Sequence, residues 1–162
     1  MRKPVIGVMG GGQVTDEVAA TARELGSLIA GRGWVLLNGG RNAGVMAASA
    51  RGAKEAGGLV IGILPDYDTR AASPDLDVAV VSGLGDARNA INVLSSDVVI
   101  ACPGGAGTLS EVALALKSGK PVIVLGFDPG PTLTAYVTSG QLVQADNPAQ
   151  AVERAEALLH SG

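Results

Sequence analysis

Short aliphatic and β-branched runs alternate along the chain with longer stretches whose apolar positions recur every three to four residues. Val5–Met9, Trp34–Asn38, Leu59–Leu64, Val78–Val81, Asp97–Cys102, Pro121–Leu125 and Gln141–Gln144 read as strands. Several are apolar throughout, as strands covered on both faces are. Asp16–Ala30 places Val18, Ala22, Leu25 and Ile29 on one helical face. Gly44–Ala56, Asp86–Ser95, Thr108–Ser118 and Pro148–His160 read as the other helices, the last with Asn147 as its cap and Pro148 in its first turn. Strict alternation of strand and helix predicts a doubly wound parallel sheet with helices on both faces. That is a Rossmann-like α/β fold, expected as one domain over residues 1–162. Pro65–Asp77, rich in proline and charge, is expected to be a surface loop and a candidate lid.

Composition narrows the picture. Of 162 residues, 24 are glycine, 47% are apolar, 17% are charged and 2% are aromatic. The core must therefore be built from Val, Leu, Ile and Ala. The glycines follow no three-residue period, and the apolar fraction is too high for a disordered chain. No uncharged apolar block reaches membrane-spanning length, so no membrane partner is expected. A net charge of −3 without a basic stripe argues against a nucleic-acid polymer as partner. Cys102 is the sole cysteine and His160 the sole histidine, so neither a disulfide framework nor a Cys- or His-built metal site is expected. The apolar run after Met1-Arg2-Lys3 breaks at Gly10-Gly11-Gly12, too early for a signal segment, and the protein is expected to be cytoplasmic. Thr108–Ser118 contains Val112-Ala113-Leu114-Ala115-Leu116, apolar on every side. Such a helix must be buried on every side, by another helix or by a second subunit, which points to a homo-oligomer.

In an open parallel sheet, ligands bind at the carboxyl ends of the strands. Four of those ends carry glycine here: Gly10-Gly11-Gly12, Gly39-Gly40 with Gly44, Gly83 with Gly85, and Gly104-Gly105 with Gly107. Tight turns use glycine for their own sake, but glycine also lets backbone N–H groups approach an anion, and a following helix N-terminus adds a favourable dipole. The first turn lacks the third glycine of a dinucleotide fingerprint, and the second strand ends at Asn38 instead of an acid. Gly39 to Gly44 has the glycine spacing of a P-loop, with Val45 where lysine belongs. A small phosphorylated ligand of another kind is therefore expected. The sharpest element is Pro103-Gly104-Gly105-Ala106-Gly107-Thr108-Leu109-Ser110-Glu111, which follows a buried strand and opens a helix. Thr108 and Glu111 have the spacing of a capping box, which needs no catalytic role. Asp86 reads as an N-cap, which puts Arg88 in the first turn of its helix, where positive charge opposes the macrodipole unless an anion offsets it. The span from Arg88 to Glu111 brings both to the same sheet edge.

Pro103-Gly104-Gly105-x-Gly107-Thr108-x-x-Glu111 resembles the PGGxGTxxE motif of the Lonely-guy (LOG) family, also labelled "possible lysine decarboxylase". Gly39-Gly40, Gly44-Val45-Met46 is similar to that family's GGG-x-x-GLMG segment, and Arg88 falls where the family has its motif arginine. The resemblance runs from Val5 to Leu125. It implies a Rossmann-like fold, dimers or tetramers, and a nucleotide-like ligand with its phosphate on Gly104–Thr108. The phosphate and ligand site it implies comprises Gly10, Gly11, Gly12, Gly39, Gly40, Gly44, Met46, Pro103, Gly104, Gly105, Gly107 and Thr108. In the family's enzymes a nucleoside 5′-monophosphate is hydrolysed to free base and ribose 5-phosphate. Carried over, Glu111 would stabilise the ribosyl centre or activate water, and Arg88 would position ribose or phosphate. No pyridoxal-phosphate feature supports the decarboxylase label, and no cofactor is required for the hydrolysis.

The chain departs from those enzymes at Arg88-Asn89-Ala90-Ile91-Asn92, where they carry Arg-Lys and a nearby methionine, and it is shorter. In both respects it is more similar to the molybdenum cofactor carrier-like branch, which binds a phosphorylated pterin. Two readings stand: binding of a phosphorylated heterocycle such as the molybdenum cofactor, and phosphoribohydrolase activity. A regulatory subunit that uses its apolar helix mainly for assembly is a third.

Overall fold

The computed structural model describes residues 1–162. Its strands are β1 (Val5–Met9), β2 (Val35–Asn38), β3 (Leu59–Leu64), β4 (Val78–Val81), β5 (Val98–Ala101), β6 (Val122–Leu125) and β7 (Leu142–Ala145). Its helices are α1 (Asp16–Gly31), α2 (Gly44–Glu55), α3 (Arg88–Leu94), α4 (Ala106–Lys117), α5 (Thr134–Ser139) and α6 (Pro148–His160). All seven strands join one parallel sheet in the order β4-β3-β2-β1-β5-β6-β7. This is the doubly wound α/β architecture that strand–helix alternation predicts.

Strand alternation divides the core into two layers. Ile6 sits between Leu36 and Val98 in register, and all three face α1, α2 and α6. Leu37, Val99 and Val124 point the other way, towards α3 and α4. With so few aromatics, the layers close through small residues. Gly26 of α1 packs on the Ser49 carbonyl, and Gly52 of α2 packs on the Arg23 carbonyl; a Cβ at either would collide with backbone. Thr15 caps α1 by accepting from the Val18 N–H at 3.2 Å, and Asn147 caps α6 by accepting from Gln150 at 2.8 Å. No helix is long and apolar enough to cross a membrane.

Four local expectations need correction. Asp86 does not cap a helix: Gly85–Ala87 forms a 3₁₀ turn that runs directly into α3 with no side-chain cap. The helix expected to open at Thr108 opens at Ala106, because Gly105 takes the cap position and Thr108 falls inside the first turn. The α4 helix packs on the sheet and on α3 but leaves Leu109 and Ala113 exposed, so no helix of the same chain covers its outer side. Finally, α5 went unforeseen: Thr-Ala-Tyr-Val-Thr-Ser is β-branched and buries no residue, so neither propensity nor periodicity marks it. Pro65–Asp77 is a loop, and it does not hang free. Ala71 and Gly40 carbonyls accept from Asn42 and Ser73 N–H groups at 2.9 and 2.8 Å, fastening it to the turn after β2.

Candidate functional site

Strand order reverses between β1 and β5, and the turns leaving those strands meet there. The Gly11 N–H donates to the Pro103 carbonyl at 3.0 Å, and the Val45 N–H donates to the Gly11 carbonyl at 3.0 Å, stitching three glycine turns together. Gly44 adopts φ +51°, and a Cβ there would collide with the Gly11 carbonyl. A Cβ on Gly104 would press on the Gly11 nitrogen at 2.8 Å. Asn38 organises the second turn. Its Oδ1 accepts from the Gly40 N–H at 2.8 Å, while its Nδ2 donates to the Met46 carbonyl at 3.0 Å and to Ser49 Oγ at 3.1 Å. Where a dinucleotide fold would place an acid, this chain places a buried turn-maker.

These turns enclose a cavity of about 220 Å³. Gly10, Gly11, Gly12, Gly39, Met46, Arg88, Gly105, Gly107, Thr108 and Glu111 all border it. Gly40, Gly44, Pro103 and Gly104 do not; they shape the turns behind it. Val8, Met9, Asp86, Asn89 and Asn92 complete the wall and were not singled out as site residues from the sequence. Asn89 and Asn92 could have been found from their spacing, which turns both to the same side of α3.

The first helical bond of α4 runs from the Leu109 N–H to the Gly105 carbonyl at 3.1 Å. The N–H groups of Ala106, Gly107 and Thr108 therefore have no partner within the helix. Gly12, Gly105 and Gly107 have open space where a Cβ would project. Free backbone donors, glycine faces and a helix dipole together give this edge the chemistry that suits an anion.

Three side chains from α3 and two from α4 add charge and polarity. Arg88 Nη1 donates to Asn89 Oδ1 at 2.9 Å, Asn89 Nδ2 donates to Ser110 Oγ at 3.1 Å, and Ser110 Oγ donates to the Gly107 carbonyl at 2.7 Å. A relay thus runs from the guanidinium to the α4 entry turn. Arg88 Nε is buried without a partner. Burial pulls the guanidinium down from its ordinary value, with the Glu111 charge opposing the shift. Glu111 is not part of a capping box. Only 8% exposed, it accepts from Asn92 Nδ2 at 3.2 Å across the helix pair. Burial pushes its carboxyl above the ordinary carboxylate range, while Asn92 and the Arg88 charge offset part of the rise. Cys102, behind the turn, is buried and its thiol is pushed up to about 12, so it is inert packing.

An open parallel sheet with glycine turns meeting at its switch point defines a Rossmann-like α/β protein. The SLOG cluster4 family matches residues 3–152, and the chain belongs to that family. It is similar to the molybdenum cofactor binding protein from Rippkaea orientalis, at 54% identity over 98% of this chain and 99% of that one, with a TM-score of 0.93. The molybdenum cofactor carrier protein of Chlamydomonas reinhardtii is 46% identical over 98% and 99% of the two chains, with a TM-score of 0.91. A cytokinin riboside 5′-monophosphate phosphoribohydrolase of Mycobacterium tuberculosis is 35% identical over 117 residues, 67% of this chain. The match spans only 63% of that enzyme's length. The resemblance read from PGGxGTxxE thus holds, on both its LOG-like and carrier-like sides.

Proposed function

We propose that the protein binds a phosphorylated heterocycle at the β1–β5 edge, and that its cargo is a molybdopterin-type cofactor held without turnover. One observation carries this reading: Gly107 and Thr108, with free N–H groups, and Arg88, whose Nε has no partner, border one cavity. These groups are donors in need of an acceptor, and a phosphate ester supplies several. Met9 and Met46, the only methionines besides Met1, give the same cavity a polarisable wall that suits a flat heterocycle. Similarity to the carrier proteins over nearly the whole of both chains favours cargo binding over catalysis. The purified protein should bind the phosphorylated pterin cofactor in titration calorimetry and release it intact. No measurable affinity for the cofactor, beside firm binding of nucleotides, would reject the carrier reading.

A second reading has its own support, because Glu111 borders the cavity beside Arg88. A carboxylate there suits stabilisation of an oxocarbenium-like ribosyl centre. If that chemistry operates, a panel of nucleoside 5′-monophosphates yields free base, and Glu111→Ala abolishes the yield.

A further inference from the structure

The cavity brings donors and acceptors together. Its donors are the N–H groups of Gly107 and Thr108 and the Arg88 guanidinium. Glu111 and Asn92 add acceptors. Glu111 accepts one bond, from Asn92, through Oε2 alone. Asn92 is wholly buried, borders the cavity, and leaves its Oδ1 without a partner. Folded proteins seldom keep a buried amide oxygen unpaired without a reason. Turning the amide over would aim that oxygen at the Glu111 carboxylate, acceptor against acceptor. The arrangement therefore leaves two adjacent oxygens, one on each helix, for which the chain supplies no donor. Glu111 lies three residues beyond Thr108, roughly 5 Å further along α4.

We propose that Asn92 and Glu111 together read a hydrogen-bond donor on the ligand, a hydroxyl or a ring N–H within about one helical turn of its phosphate. The site then selects phosphate esters that carry such a donor and discriminates against esters that carry none, with Asn92 as a specificity-determining residue. This rests on the phosphate reading above and narrows it. An unmet donor or acceptor in a buried site is what gives polar recognition its selectivity.

Calorimetry on the full chain with three probes tests the idea. Methyl phosphate has no donor on its organic part. Ribose 5-phosphate offers hydroxyls only. The phosphate ester of 6-hydroxymethylpterin offers ring N–H and amino donors only. At least one donor-bearing ester should bind about tenfold more tightly than methyl phosphate, and which one does so identifies the donor. Asn92→Leu should shrink the preference over methyl phosphate to about twofold. If methyl phosphate binds as tightly as both other esters, or Asn92→Leu keeps the full preference, the proposal is overturned. If that variant fails to fold, the wild-type panel decides alone. Failure of every probe to bind would instead remove the phosphate reading, and this proposal with it.

Discussion

The Arg88 guanidinium rests on Gly39: a Cβ at position 39 would lie 2.9 Å from Arg88 Nη2 and 2.7 Å from Met46 Sδ. The glycine after β2 therefore makes room for the cation, which no reading of turn chemistry alone would require. Both neighbours are the far ends of flexible side chains and can move. Gly39→Ala should cost less than about 1 kcal/mol of stability yet displace Arg88, lowering methyl phosphate affinity about tenfold. Gly44 offers the contrast. Its φ of +51° and its contact with the Gly11 carbonyl involve backbone that cannot yield. Gly44→Ala should cost about 2–4 kcal/mol. Thermal melts of the two variants, with titration of the folded ones, check the pair. Equal losses of melting temperature would contradict it.

Runs such as Val98–Ala101 and Val122–Leu125 are apolar throughout, too short for helices and followed by glycine turns, which marks them as strands inside a doubly covered sheet. Glycines at the ends of β1, β2 and β5 then had a common edge to occupy, so their meeting around one cavity was legible from topology. The place of Glu111 at that edge was legible too, but its partner was not. The capping-box pattern pointed it back to its own helix, whereas it is held from α3 by Asn92. Contacts between helices 19 residues apart leave no local signature. The 3₁₀ turn at Gly85–Ala87 and α5 were illegible for a different reason: they bury no residue, so they imprint no periodicity.

Arg88 is half-buried and lacks a partner for Nε, and the structure shows no ion pair that would compensate its charge. Such a group is kept at a cost to the fold. Arg88→Met retains the aliphatic reach while removing the charge. The expected result is a melting temperature equal to or above wild type, together with loss of phosphate-ester binding by a factor of ten or more. A marked drop in melting temperature would mean that Arg88 supports the fold instead of a ligand.

Glu111 gives a prediction with a definite sign. Burial raises its carboxyl above the ordinary range, so the folded state favours the protonated form. Its contribution to stability is full below the ordinary glutamate value, about 4.3, and is lost as pH rises through the raised value. Glu111→Gln removes that loss. The variant should melt above wild type near about pH 8, and the gap should close towards about pH 4. Asp97 and Asp77, held below the ordinary range chiefly by Arg2 and Lys54, act in the opposite sense. Their stabilisation is present above the ordinary aspartate value and is lost as pH falls, equally in both proteins, so it cancels from the difference. A gap that widens on acidification would overturn the assignment.

The outward sides of α3 and α4 carry Leu94 and Leu109, 57% and 48% exposed. On the same side of the sheet, exposed Val78 and Val80 of β4 stand in register with Ile61 and Ile63 of β3. An apolar surface of this kind on a folded protein marks a contact site, and a second copy is its simplest occupant, since a two-fold interface needs only one such surface. The protein is therefore expected to form a homo-oligomer through this side. Leu94→Lys with Leu109→Lys should shift its mass in light scattering to that of one protomer. Arg88 and Asn92 lie on α3 and Glu111 on α4, so loss of the partner should also loosen the cavity and weaken phosphate-ester binding several-fold. A monomeric wild type, or a double variant of unchanged mass, would show that α4 is left bare for some other reason.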